Sequence, residues 1–293
     1  MTASEDKIID GKAIADAMKK EIAAEVAEMI DNGQAAPHLA AVIVGDDGAS
    51  KTYVASKEKA CHSVGFTSSV YRLPEAATEK EVLDLVDFLN KDDEIDGYII
   101  QLPLPKHIDE KKVVHSISYK KDVDGFTPIN IGLMQLGEEC FLPATPSGIV
   151  ELLKRSGIET AGKHVVVLGR SNIVGTPISV MLSRKGADAT VTMCHSKTQN
   201  IKELTRQADI LIVAIGKPLF LKADMVKPGA VVIDVGIHRI PDETEEKGYR
   251  IEGDVDFDEV CKVASKITPV PGGVGPMTIV SLLYNTLQAR KRR

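Results

Sequence analysis

Nowhere in the 293 residues does an apolar run approach the roughly 18 residues that a membrane helix needs. A membrane partner is therefore not expected. Cysteine is sparse as well: Cys61, Cys140, Cys194 and Cys261 lie far apart and form no CxxC pair. That pattern reads as reduced cytosolic thiols and argues against a disulfide framework or a metal site. There is no excess of basic charge; the net charge is −6, which speaks against nucleic acid as a main partner. Low-complexity runs are missing, and the acidic start Met1-Thr2-Ala3-Ser4-Glu5-Asp6 leads into no apolar stretch, so no signal peptide is expected. The default location is the cytoplasm.

What remains is an ordinary globular composition, 43% apolar and 27% charged, on a chain long enough for two α/β domains. The chain turns on the stretch from Val165 to Pro177. Val165-Val166-Val167-Leu168 reads as a buried strand, Gly169 as a tight turn and Thr176-Pro177 as the opening of a helix. Such units lay a pyrophosphate across a helix N-terminus, where N–H groups and the helix dipole favour anions. The fingerprint is imperfect, because Ser171 stands where a strict G-x-G-x-x-G has its second glycine. A plain strand-to-helix turn is the alternative.

The next strand, Ala189–Cys194, sharpens the reading. It ends in His195-Ser196-Lys197 without the acidic residue that holds a ribose 2′-hydroxyl. Arg170, Ser196 and Lys197 suit a 2′-phosphate instead, which predicts NADP rather than NAD.

Strands and helices alternate on both sides of this unit. A helix is expected from Asp10-Gly11 to about Asn32, on the spacing of Ile14, Met18, Ile22, Val26 and Met29, with Gly33 as its stop. Strand 39–44, helix 51–64, strand 66–73, helix 78–89 and strand 98–102 follow, with Thr78 and Glu81 forming a capping box. A helix capped at Thr145-Pro146 stops at Gly157. The second half continues with helix 176–185, strand 189–194, helix 199–207 and strands 210–215 and 230–235. Stretch 237–251 reads as an exposed polar excursion, and a terminal helix runs from about Pro276 to Arg290 with more apolar positions than one stripe. This alternation implies parallel sheets covered on both faces, with ligands at the carboxyl ends of the strands.

Four residues of the first half fall at such an edge. Tyr53 and Lys57 share a helix face at i and i+4, Gln101 closes a strand, and Asp124 lies in the loop Lys121-Asp122-Val123-Asp124-Gly125. Each has a plain alternative: a solvated helix face, a loop tie for Pro103 and Pro105, a turn carboxylate before glycine. Periodicity alone does not choose.

Six motifs taken in order do. Tyr53-Val54-Ala55-Ser56-Lys57, Gln101-Leu102-Pro103-Leu104-Pro105, Lys121–Gly125, Gly169–Gly175, His195-Ser196-Lys197-Thr198 and Pro271–Thr278 span most of the chain. Together they resemble the bifunctional methylenetetrahydrofolate dehydrogenase / methenyltetrahydrofolate cyclohydrolase family. The resemblance implies a three-layer parallel-sheet substrate domain (residues 1–145 plus 275–293) and a Rossmann-like NADP-binding domain (146–274), with the C-terminal helix packing back on the first and the folate site in the cleft between them. It implies tetrahydrofolate one-carbon derivatives as substrates, NADP as cofactor, no metal, and a homodimer.

Residue by residue, Lys57 matches the family's catalytic lysine, which must lose its proton well below the free value of about 10.4 to act near neutral pH. Gln101 resembles the residue that orients it, and Tyr53 the ring that stacks on the substrate. Asp124 matches the carboxylate that binds the pterin, while Asp122 is read as shaping the loop. Pro271, Gly272 and Gly273 fit a turn where backbone comes close to the ligands; a plain glycine linker is the alternative. Arg170 and Ser196 match contacts to the NADP phosphate. Gly169, Ser171, Ile173, Val174, Gly216 and Ile237 fall where backbone lines the cofactor. His238 departs from the family pattern, which favours asparagine after Gly236-Ile237. An NADP-dependent dehydrogenase of another small substrate is the competing reading. A non-enzymatic nucleotide sensor is disfavoured by the joint presence of Tyr53, Lys57, Gln101 and Asp124.

Overall fold

Two parallel sheets carry the chain, each in its own compact unit, in a computed structural model that describes residues 5–46, 48–245 and 248–293. One unit comprises Asp16–Ala144 and Ile279–Arg293; the other comprises the residues up to Ala15 and Thr145–Thr278. The acidic start of the sequence lies mostly outside the described residues.

In the first unit α1 (Gly11–Asp31), which begins in the other unit, ends where Gly33 takes φ +77°. A left-handed residue there lets Gln34 N–H bond back to Met29 O, closing the last turn. β1 (His38–Val44), α2 (Gly48–Ser63), β2 (Thr67–Leu73), α3 (Glu79–Lys91) and β3 (Gly97–Ile100) then alternate. β1 is central, in the order β2-β1-β3, all parallel. Its residues from Leu39 to Val44 are all buried, as a strand covered on both faces requires. The capping box at Thr78 and Glu81 is present: Thr78 N–H donates to Glu81 Oε2 at 2.7 Å and Glu81 N–H to Thr78 Oγ1 at 3.3 Å. Two short helices that the periodicity did not predict, α4 (Glu110–Ser116) and α5 (Pro128–Leu136), follow. Both are local: Asp109 and Thr127 cap them, and at seven and nine residues they carry too few turns to show a stripe.

α6 (Ala144–Arg155) leads into the second unit. There β4 (His164–Leu168), α7 (Gly175–Ser183), β5 (Thr190–Cys194), α8 (Ile201–Thr205), β6 (Ile210–Val213) and β7 (Val231–Asp234) form a doubly wound pattern. β4 and β6 are wholly buried along their β-branched and leucine runs. The polar stretch after β7 is not an irregular excursion. It forms an antiparallel hairpin, β8 (His238–Pro241) with β9 (Tyr249–Glu252); Glu246 and Lys247 of its tip lie outside the described residues. Its alternation of half-buried and exposed positions was masked by charged side chains. After α9 (Phe257–Val263), β10 (Lys266–Ile267) completes the sheet, order β10-β7-β6-β4-β5. α10 (Val274–Lys291) then starts in this unit and ends in the first. Its later half packs back there: Asn285 Nδ2 donates to Val123 O at 2.8 Å and to Leu142 O at 2.9 Å.

The N-terminal residues depart from the expected division. They group with the second unit because Ile9 N–H donates to Ile267 O at 2.9 Å and Ile8 bridges Ile267, extending the sheet beyond β10.

Candidate active site

Lys57 and Tyr53 sit one turn apart on α2, Lys57 half-buried and Tyr53 42% exposed. Lys57 Nζ donates to Gln101 Oε1 at 3.3 Å, and Gln101 Nε2 donates to Leu102 O at 2.8 Å. The second bond turns the amide so that its acceptor oxygen meets the lysine. Gln101 itself is held at the carboxyl end of β3 by its N–H bond to Val42 O, 2.9 Å.

The two aspartates of the following loop have different surroundings. Asp122 is buried and accepts from the backbone N–H groups of Gly125 (2.9 Å), Phe126 (3.2 Å) and Thr127 (2.8 Å) and from Asn130 Nδ2 (2.9 Å). It folds the loop. Gly125 takes φ +76°, and a Cβ there would lie 2.6 Å from Pro143 N, so only glycine fits this turn. Asp124 lies within range of the Lys57 charge. Burial pushes its carboxyl up; the Lys57 charge pulls it down and Asp122 adds to the rise. Lys57 and Gln101 thus form a hydrogen-bonded pair, a primary amine on an amide acceptor, whose charge acts on the half-buried Asp124 carboxyl.

In the second unit, the residues expected to line a dinucleotide lie at the carboxyl ends of four adjacent strands. Gly169, Arg170, Ser171, Ile173 and Val174 follow β4, Ser196 follows β5, Gly216 follows β6 and Ile237 follows β7. Gly169 (φ +123°) packs so tightly that a Cβ would overlap Ala214 O, and a Cβ on Gly175 would overlap Gly169 O. Ser171 explains the missing second glycine. Its Oγ accepts from Val174 N–H (3.1 Å) and Gly175 N–H (3.4 Å), so a side chain ties the loop to the first residue of α7. The first N–H groups of α7 are thus partnered within the loop, Gly175 with Ser171 Oγ and Thr176 with Ser171 O at 3.0 Å. Arg170 and Ser196 are exposed on neighbouring strand ends, as is Lys197, and no carboxylate closes β5. This donor set, two cations and a hydroxyl with no competing acid, fits a phosphate. Exposed Ile173 and Ile237 add apolar surface.

The Pro271-Gly272-Gly273 turn between β10 and α10 is pinned by the start of α1. Lys12 N–H donates to Gly272 O at 2.9 Å, and a Cβ on Gly11 would overlap Gly273 O. Packing within the unit accounts for Gly273, whereas Gly275 faces open space.

Sequence reading missed a polar network beneath the β6 and β7 ends. Asp234, closing β7, accepts from Gly236 N–H (2.9 Å), Asp254 N–H (3.0 Å) and Val255 N–H (3.0 Å). Burial outweighs these donors and pushes its carboxyl up to about 7, with Asp254 adding to the rise. The signal was present in Gly253-Asp254: that glycine is needed because a Cβ would overlap Asp234 Oδ2. Among the described residues no cluster of three or more His, Cys, Asp or Glu side chains could hold a metal, and no helix is long and apolar enough to cross a membrane.

Comparison with known proteins assigns both units. Residues 9–124 match the family model for the tetrahydrofolate dehydrogenase/cyclohydrolase catalytic domain, and residues 143–293 match that for its NAD(P)-binding domain. The chain belongs to this family. It is 59% identical over 287 residues to the bifunctional protein FolD of Porphyromonas gingivalis, covering 97% of each chain. The crystal structure of the bifunctional FolD dehydrogenase/cyclohydrolase from Campylobacter jejuni superposes with a TM-score of 0.92 at 49% identity, over 98% of this chain and 99% of that one. The FolD enzyme of Trypanosoma brucei, solved with NADP and an inhibitor, gives 0.92 at 41% identity, over 97% of each.

Proposed function

We propose that the chain oxidises 5,10-methylenetetrahydrofolate to the 5,10-methenyl cation with NADP⁺ and hydrolyses that cation to 10-formyltetrahydrofolate. Matches to both domain models and full-length identity to FolD relatives favour this over a dehydrogenase of some other small substrate. The single observation that carries the residue assignment is the Lys57–Gln101 bond beside the Asp124 carboxyl.

The dehydrogenase step removes a hydride from the one-carbon bridge, and folate nitrogen lone pairs stabilise the carbon left behind. The enzyme's contribution is alignment of donor and acceptor. NADP⁺ supplies the hydride acceptor. Arg170 and Ser196 are assigned to its 2′-phosphate, and Gly169, Ser171, Ile173, Val174, Gly216 and Ile237 to the chain that lines it.

In the hydrolytic step water adds to the methenyl carbon and the ring opens, which requires proton movement. Lys57 Nζ is the group assigned to this, kept in place by Gln101 Oε1. Asp124 accepts hydrogen bonds from pterin N–H donors, and a bound pterin would replace lost solvation at that carboxyl. Tyr53 offers its ring to the aromatic part of the substrate, and Pro271, Gly272 and Gly273 a backbone wall. A cytoplasmic location and a homodimer complete the reading on family resemblance; light scattering after size exclusion tests the dimer.

Replacing Lys57 by methionine should reduce cyclohydrolase turnover at least 100-fold while NADP⁺ affinity stays within twofold. Loss of the methenyl absorbance reads the first and calorimetry the second. An unchanged hydrolysis rate would remove Lys57 from this role.

A further inference from the structure

His238 opens the β8 hairpin next to the proposed cofactor edge, and its Nε2 lies 2.7 Å from Asp254 Oδ1. Asp254 is fully buried, so the imidazole must present a proton at Nε2 to satisfy that oxygen. The other oxygen, Oδ2, accepts from Ile215 N–H at 2.8 Å and Gly216 N–H at 2.9 Å. Asp254 therefore joins a side chain of the hairpin to the main chain that leaves β6. Gly216 takes φ +70° there, and its N–H has no strand partner of its own to fix it.

The network leaves Asp254 little freedom. Its own N–H is held by Asp234 Oδ1, and a Cβ on Gly236 would overlap its backbone nitrogen, so the loop cannot shift toward β7. The pair of carboxylates is close enough to repel, and His238 is the side chain that donates into it. Without that donor, Asp254 Oδ1 would be a buried acceptor with no partner. The carboxylate would then rotate in search of another donor, which weakens its hold on Ile215 and Gly216.

We infer that His238 is a positioning residue for the cofactor, fixing the Ile215–Gly216 main chain through the buried Asp254 carboxylate. This rests on the assignment of Gly216 to the cofactor edge. His238 touches neither substrate nor reacting atoms; it acts through Asp254.

The test compares His238→Gln, which keeps an N–H donor at the reach of Nε2, with His238→Leu, which fills similar volume without one. In the ligand-free full-length chain, amide hydrogen exchange at residues 215–217 should speed up at least tenfold in H238L and stay within threefold of wild type in H238Q. NADP⁺ dissociation constants from calorimetry should rise about tenfold in H238L and less than threefold in H238Q. The KM for NADP⁺ should follow, with kcat at saturating cofactor within twofold. If H238L fails to fold, H238A is read in its place. Wild-type exchange and affinity in the donor-free variant would overturn the proposal, as would an H238Q that behaves like H238L. If exchange changes as expected while affinity does not, the link through Asp254 stands and the assignment of Gly216 to the cofactor is what fails.

Discussion

Asp122 and Asp124 stand two residues apart in one loop yet differ in every respect that matters chemically. Four donors saturate Asp122, so it is spent on structure, whereas Asp124 is pushed up by burial and pulled down by the Lys57 charge. Asp234 is a third case, a carboxyl whose burial keeps it protonated up to about 7 despite three backbone donors. An unfolded aspartate releases its proton near 3.8. Between those values the folded chain holds a proton that the unfolded chain has lost, so this group's contribution to stability falls as pH rises through the window. The loss amounts to at most about 4 kcal/mol. Denaturant unfolding of the wild type and Asp234→Asn at pH 4.5, 6 and 7.5 checks it. The variant lacks the titration, so the gap by which the wild type is more stable should narrow with rising pH. A gap that is constant or widens would show that the backbone donors, not burial, govern Asp234.

At the scale of elements, the strand–turn–helix unit of β4 and α7 was legible because a β-branched run followed by glycine has few other uses. Ser171 was not legible: only the folded turn shows its hydroxyl accepting from Val174 and Gly175 N–H where a glycine was expected. The same contrast holds in the first half. Thr78 and Glu81 announced their helix by spacing, while Lys57 and Gln101, 44 residues apart, needed either the fold or a family resemblance to be joined. The β8–β9 hairpin escaped because its four-residue strands interleave Arg239, Arg250 and Glu252 with Ile240, Tyr249 and Ile251, too few positions to show a hydrophobic alternation. What the paired strand ends of β4 and β5 do offer is a cation, Arg170, beside Ser196 and no acid. Arg170→Ala should therefore weaken NADP⁺ at least tenfold and NAD⁺ less than twofold, read by calorimetry with each dinucleotide. Equal losses would mean that Arg170 does not meet the 2′-phosphate.

Across the whole molecule the chain passes between its two units three times, after Ala15, after Ala144 and after Thr278. All three passages lie inside continuous helices, α1, α6 and α10, and neither unit is a contiguous stretch of sequence. The first residues of the chain are structural members of the unit that carries the cofactor edge. Ile9 is 2% exposed, its N–H bonds to Ile267 O, and three residues later Lys12 N–H holds Gly272 O. Removing the buried Ile9 side chain deletes core volume at a residue not assigned to the ligands. Ile9→Ala should cost about 2–4 kcal/mol, the range for deleting a buried isoleucine to alanine. Because the chain has two units, the loss should fall on one of them. Denaturant unfolding followed by exchange protection of β4 and β6 should shift to lower midpoint, while protection of β1 shifts less. If β1 loses protection to the same extent, the two units unfold as one cooperative body and the N-terminal residues stabilise the whole chain rather than the unit they pack in.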